Sequence, residues 1–442
     1  MQKVFAWFLA LACCVLLAVL GLYVVSRLMP IPVDEAAALA KLEEAPALPG
    51  RNGGAALWLL PYDVPAEQAE HVLAPEVARF AAMRVQSGEQ DIFLGLDIDA
   101  ERLVADVNLH EIQCRLRDAG CLQRVRVNLS EFEHQAKLRS RISPRVAALD
   151  GYDYFRNPFP PSLYSPLPEY VALTRDLSVH AYAFARGDTA SALQGVCRDA
   201  SIARKLVASG DNLIGSMIGV AMMDGAGRLF VEMLTELPPD YRVPAQCLEV
   251  FRADNAMASG ICPTMMGEGR YAIATARSAL QAEVGRHSRP YSWFLDVEKT
   301  VARSAPRATW YCEKTAQRQI LTDQPLQQTS DNSPLSLRCL ANQTGCFMTD
   351  VIPPDYNEYA WRLQDAEMRQ KLVATWLWLR ANAGDTRPLA DRLASRPQAL
   401  KSAAREIRIS ADGKALLAPM YESRPEGDTW QLPIADWMNQ PG

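Results

Sequence analysis

One stretch limits this chain before any other: Val4 to Val25 is unbroken apolar sequence without a charge, bracketed by Lys3 and Arg27. A helix rises about 1.5 Å per residue, so the run is long enough to cross a hydrocarbon layer of about 30 Å. A cleaved secretory signal is the rival reading, but its apolar core is normally about 7–15 residues and ends in a small-x-small site. Here the best cleavage point follows Ser26, with Val24 as the other small residue, and fits poorly. Ala10-Leu11-Ala12-Cys13 resembles a lipoprotein processing box, yet apolar residues continue well past Cys13 instead of stopping there. The expectation is therefore an uncleaved anchor over 1–28, with Cys13 and Cys14 as lipid-facing or packing thiols.

Orientation rests on charge and cysteine usage. The basic residues flanking the span favour a cytoplasmic N-terminus only slightly. Beyond the anchor stand Cys114, Cys121, Cys197, Cys247, Cys262, Cys312, Cys339 and Cys346, an even set with no CxxC pair of the zinc or redox kind. Cys114–Cys121 and Cys339–Cys346 share one spacing, each with a glycine before the second cysteine. In a continuous helix these sulfurs would stand too far apart for a disulfide; a glycine that takes the left-handed conformation and turns the chain back removes the difficulty. Two local disulfides are expected, and Cys197, Cys247, Cys262 and Cys312 can pair in three ways that spacing does not separate. Disulfides point to an oxidising compartment. The expected location is a bacterial inner membrane, single-pass, with the body in the periplasm. In a eukaryotic lumen, Asn128-Leu-Ser130 and Asn342-Gln-Thr344 would be glycosylation acceptors.

The net charge of −5 and the lack of a basic run argue against a nucleic-acid surface. Periodicity predicts a mainly α body of packed helical hairpins with a small C-terminal β-hairpin. Residues 29–54, rich in Ala, Pro, Glu and Gly, read as a flexible linker. Residues 55–168 read as an N-terminal helical region in which Ser130-Glu-Phe-Glu133 is a capping box for a helix running toward Leu149. That region ends in a Pro-rich loop carrying Tyr152, Tyr154, Phe155, Phe159 and Tyr164. These rings offer a partner surface or simply pin the loop to the body.

Residues 169–405 form the main helical region. Tyr170 to Phe184 carries an apolar stripe, Gly187-Asp188 separates it from the next helix, and Asp211 to Leu237 forms a third. Ala181-Tyr-Ala-Phe-Ala-Arg-Gly-Asp188 followed by Ala192-Leu193 resembles one tetratricopeptide unit, but no second copy follows at a fixed period. A disulfide-tied, loop-rich segment over 309–354 precedes the longest soluble helix, expected between Pro353 and Gly384. In 406–442, Glu406-Ile-Arg-Ile-Ser and Ala415-Leu-Leu-Ala flank Ala411-Asp412-Gly413-Lys414 as a hairpin, and Trp430-Gln-Leu-Pro433 offers a third strand.

Chemical signatures are sparse. HExxH, a phosphate loop, GxSxG and SxxK are all missing. His110-Glu111 beside Cys114 makes a poor metal site because the sulfurs are better used in a disulfide. Gly267-Glu-Gly-Arg-Tyr-Ala272 mimics a dinucleotide loop but follows no strand, so it reads as the start of a helix. Glu232 and Glu236 read as a solvated face. The carboxylate candidates are Asp97 and Asp99, which alternation over Asp91 to Asp99 would put on one face of a strand. No cofactor or metal is expected. The expected role is a non-enzymatic binding or scaffold component of a cell-envelope assembly, with the membrane and a protein as partners. A carboxylate-dependent cell-wall hydrolase and a periplasmic immunity or inhibitor protein are the alternatives.

Overall fold

The computed structural model describes residues 2–83, 95–103, 112–162, 164–286, 293–328, 336–351, 356–422 and 427–439. Its principal helices are α1 (Gln2–Leu28), α2 (Val33–Glu43), α3 (Asp176–Ala185), α4 (Thr189–Ser209), α5 (Leu213–Thr235), α6 (Ile261–Arg286), α7 (Val297–Thr309), α8 (Lys314–Leu321), α9 (Gln343–Val351) and α10 (Asn357–Ala381). The chain is mainly helical, with one apolar N-terminal helix and a small C-terminal sheet. α5 is also long and apolar enough to span a membrane, but most of it is buried in the body.

Local chemistry sets the boundaries in the central helices. Gly187 has φ +90° and Asp188 accepts the Ser191 N–H at 3.3 Å, so α3 ends and α4 begins there. Asn212 caps α5 by accepting the Gly215 N–H at 2.7 Å. α3, α4, α5 and α10 contribute to the main core, which includes Leu193, Val196 and Ile202 of α4, Phe230 and Leu234 of α5, and Trp376 of α10. This one core runs from Ala55 to Met438, crossing the divisions drawn from composition.

The C-terminal strands β1 (Arg408–Ile409), β2 (Ala415–Pro419) and β3 (Thr429–Pro433) form an antiparallel sheet in that order. Pairing Leu416 with Leu432 and Ala418 with Trp430 turns one face inward, as period-two alternation requires. Trp376 Nε1 donates to the Pro433 carbonyl at 2.8 Å and fastens α10 to the sheet.

A second, smaller core joins Ala38, Leu39 and Leu42 of α2 to Val301, Ala302, Ala305 and Ala308 of α7 and Ile273 of α6. Here the linker reading of 29–54 is corrected over Val33–Glu43. Alanine is a strong helix former, and Leu39 and Leu42 give this stretch an apolar face to bury. The 309–354 segment likewise holds α8, a 3₁₀ turn at Leu337–Cys339, and α9. The helix expected to run from Ser130 to Leu149 is two helices, Leu129–Leu138 and Ser143–Ala148. Pro144 suits the first turn of the second helix, where its missing N–H costs nothing, and disfavours a continuous one. Ser130 lies within the first turn, so the capping box does not form.

The sulfurs of Cys114–Cys121, Cys197–Cys247, Cys262–Cys312 and Cys339–Cys346 lie 1.98, 2.03, 2.12 and 2.03 Å apart. The two local pairs reach that distance differently. Gly120 is left-handed at φ +73° and precedes the helix Cys121–Val127, whereas Gly345 sits inside α9 with Thr300 against it. Gly120 thus takes the expected left-handed conformation, though it opens a helix instead of ending one, while Gly345 does not.

Candidate functional site

A cleft of about 530 Å³ opens where five separate segments converge. Lys41 comes from the end of α2, Arg156 from the aromatic loop, Gly210 from the α4–α5 turn, Arg270 from α6, and Lys314 from the start of α8. The Cys262–Cys312 bond lies in its wall and ties the start of α6 to the turn before α8. Gly267 permits this convergence: a Cβ there would stand 2.2 Å from the Gly210 carbonyl oxygen, so only glycine lets α6 approach the α4–α5 turn so closely.

The lining is strongly cationic. Arg270 is buried, and its Nη2 donates to the Gly210 carbonyl at 3.1 Å while Nη1 has no hydrogen-bond partner. Arg156 donates through Nη2 to the Pro46 carbonyl at 2.9 Å, and its Nε is also without a partner. Burial, and then repulsion from Arg156, push Arg270 below the usual guanidinium range. Among the described residues, no carboxylate stands within ion-pair distance of Lys41, Arg156, Arg270 or Lys314. Glu313 lines the mouth, exposed to solvent.

A narrower cavity adjoins the cleft through Arg156 and is lined by Trp58, Asn157, Tyr170 and Asp211. Burial raises the Asp211 carboxyl above its ordinary range, opposed by hydrogen bonds from Asn157 and Asn212 and by the charges of Arg270 and Arg156. Burial also raises Tyr170 and Tyr271 well above the normal phenol range. Tyr271 accepts a hydrogen bond from Asn157 Nδ2 at 3.3 Å. Guanidinium and ammonium groups held apart from carboxylates in a concave site bind carboxylate, phosphate or sulfate groups.

The residues singled out by sequence lie elsewhere or play other parts. Asp97 and Asp99 are exposed, and Gly95–Asp99 forms no strand; Asp97 offers its backbone N–H to Glu76 at 2.9 Å. Residues 84–94 and 104–111, with Asp91, His110 and Glu111, fall outside the described set. Tyr152, Phe155 and Phe159 are buried, Tyr154 is half-buried and Tyr164 is exposed. Phe159 packs on Trp58 and Phe80 with ring centroids 4.8 and 5.6 Å apart. The buried rings pin the loop to the body, and what the loop contributes to the cleft is Arg156.

Glu232 is no solvated side chain. It accepts the Gly120 and Leu122 N–H groups at 2.6 and 3.2 Å, capping the helix Cys121–Val127, and burial raises its carboxyl pKa. Glu236 pairs with Arg126. Asn342, half of a candidate glycosylation sequon, is buried. Arg270 stood inside the Gly267-Glu-Gly-Arg motif, whose glycines signal close packing and not a cofactor loop. The chain matches no protein-family model, no curated protein and no solved structure.

Proposed function

We propose that this protein is a retained single-span membrane protein whose body stands in the bacterial periplasm and binds an anionic ligand in the cleft of Arg156 and Arg270. The observation that carries the reading is the pair of mutually repelling guanidinium groups lining a 530 Å³ cleft, with Nε of one and Nη1 of the other unpartnered. Burying uncompensated cationic nitrogen costs several kilocalories per mole, so such an arrangement is best explained by a ligand that supplies the missing acceptors. Among the described lining residues, no nucleophile is positioned by a base, which favours binding over catalysis. Retention of α1 is supported by Ser26, the residue before the best cleavage point. It is 1% exposed and its Oγ accepts the Ala341 N–H at 2.9 Å. The four cysteine pairs at bonding distance support an oxidising compartment.

Calorimetric titration of the full chain in nanodiscs with sulfate, phosphate and citrate tests the ligand reading. At least one anion binds the native protein, and binding weakens at least about tenfold, or about 1.4 kcal/mol, in Arg270→Met and in Arg156→Met. Equal affinity in native and variant proteins would remove the cleft as the site. A periplasm-dependent phosphatase fused at the C-terminus tests the topology separately, and an inactive fusion places the body in the cytosol.

A further inference from the structure

Tethered proteins commonly hang from a flexible linker, but here the end of α1 is built into the body. The Tyr23 hydroxyl donates to the Trp293 carbonyl at 2.6 Å, and its ring meets Phe294 edge-on at 6.0 Å. Lys299 Nζ donates to the carbonyls of Ser26 and Arg27 at 3.3 and 2.8 Å, neutralising the negative end of the helix. Arg27 faces Asp296 at 3.6 Å, and Ser26 is locked to Arg338 and Ala341. The span and the body therefore form one rigid piece around Tyr23–Arg27.

Depth follows from length. Counting about 20 residues for a span from Val4 sets Tyr23 at the far boundary of the hydrocarbon layer, where tyrosine and tryptophan concentrate. The groups bonded to Tyr23 must lie at the same depth. Trp293 is 57% exposed and Phe294 is exposed beside it. Leu337, in the 3₁₀ turn packed against α1, is also exposed. α9, joined to that turn by Cys339–Cys346 and to Phe294 by the Thr344 N–H at 3.1 Å, exposes Phe347 (53%) and Met348. A soluble surface has no reason to gather these side chains around the exit of a membrane helix.

We infer that Trp293, Phe294, Leu337, Phe347 and Met348 form an apolar collar that seats the body in the interfacial layer of the same bilayer that α1 crosses. The inference rests on the reading of α1 as a retained span and adds to it a fixed posture. Lipid is the occupant because α1 itself carries the collar to the membrane boundary, and docking of the last turn leaves no free linker by which the collar can move away.

Fluorescence quenching by brominated phosphatidylcholine tests this, using the full chain in vesicles and difference spectra against Trp293→Phe and Trp7→Phe. If the collar is seated, brominated lipid removes most of the emission attributable to Trp293, with bromines near the headgroup acting more strongly than those deep in the chain. An unquenched Trp293 alongside a quenched Trp7 overturns the collar while leaving the span intact. That result would also arise if a second copy or a protein partner covered Trp293. An unquenched Trp7 overturns the span reading itself. Phe347→Asp supplies a second readout: the quenching of Trp293 falls as the collar lifts, and unchanged quenching excludes Phe347 from it.

Discussion

The main core and the small core beside α1 hold their helices together by different means. In the main core, large side chains such as Trp376, Phe230, Phe251 and Leu173 are wholly enclosed, so stability comes from buried apolar volume. Half of the small core's buried residues are alanine, and hydrogen bonds between segments far apart in sequence tighten it. Asn342 Oδ1 accepts the Asp296 N–H at 2.7 Å, Nδ2 donates to Thr300 at 3.1 Å, and Thr300 donates to the Asp296 carbonyl at 2.7 Å. The contrast teaches that size is unnecessary where the end of the apolar N-terminal helix is fastened to the body. Small side chains let helices approach, and directional bonds then fix their register.

Truncation should break the two regions to different extents. Trp376→Ala leaves a large cavity and an unpaired Pro433 carbonyl, and should cost about 3–5 kcal/mol in a denaturant titration of the full chain. Leu42→Ala should cost about 2–5 kcal/mol, but the loss should be local, with hydrogen exchange rising in α2 and α7 and not in α4 or α5. Uniform acceleration of exchange in both regions would show that the small core has no independence.

The disulfides sharpen the same comparison. Cys197–Cys247 closes a loop with a sequence separation of 50 in the main core, while Cys339–Cys346 closes one of 7 beside α1. On the chain-entropy account, replacing each pair by alanines costs about 4 kcal/mol for the first and about 2 for the second. A larger loss from the short loop would mean that it acts by holding α9 in place and not by restricting the unfolded chain. Asn342→Ala, which removes the acceptor of the Asp296 N–H, should cost about 1–3 kcal/mol and should free α1 from the body without melting the main core. Limited proteolysis between Leu28 and Val33 reads that release.

What sequence reveals follows the same division. α4 and α5 were legible because long side chains recur at helical spacing and Gly187-Asp188 marks the start of α4. The sheet was legible in the alternation around Asp412-Gly413. α2 was not, because Ala-rich sequence with few large residues resembles a spacer until α7 is beside it. The cleft was illegible for a stronger reason. Lys41, Arg156, Arg270 and Lys314 are ordinary basic residues on separate segments, and only tertiary convergence brings them together in one cleft. Asp97 and Asp99 show the converse, since closeness in sequence created a pair that the fold leaves on the surface.

The smallest expected effect concerns the charge balance of the cleft. Asp211 is the carboxyl group that both Arg156 and Arg270 act on, and burial raises its pKa above 3.8. Above that raised value it is ionised and repels an incoming anion; as the pH falls through it, the group becomes neutral and the repulsion ends. Affinity for sulfate, whose own charge is constant in this range, should therefore increase as the medium is acidified from neutrality through the Asp211 transition. Asp211→Asn should bind more tightly at neutral pH and lose that dependence, because the amide keeps the shape of the site without its charge. Titrating sulfate affinity in both proteins distinguishes an electrostatic cleft from general acid loosening. If the native chain and the Asp211→Asn variant followed the same pH curve, Asp211 would have no part in the site, and the cationic balance of the cleft would need another explanation.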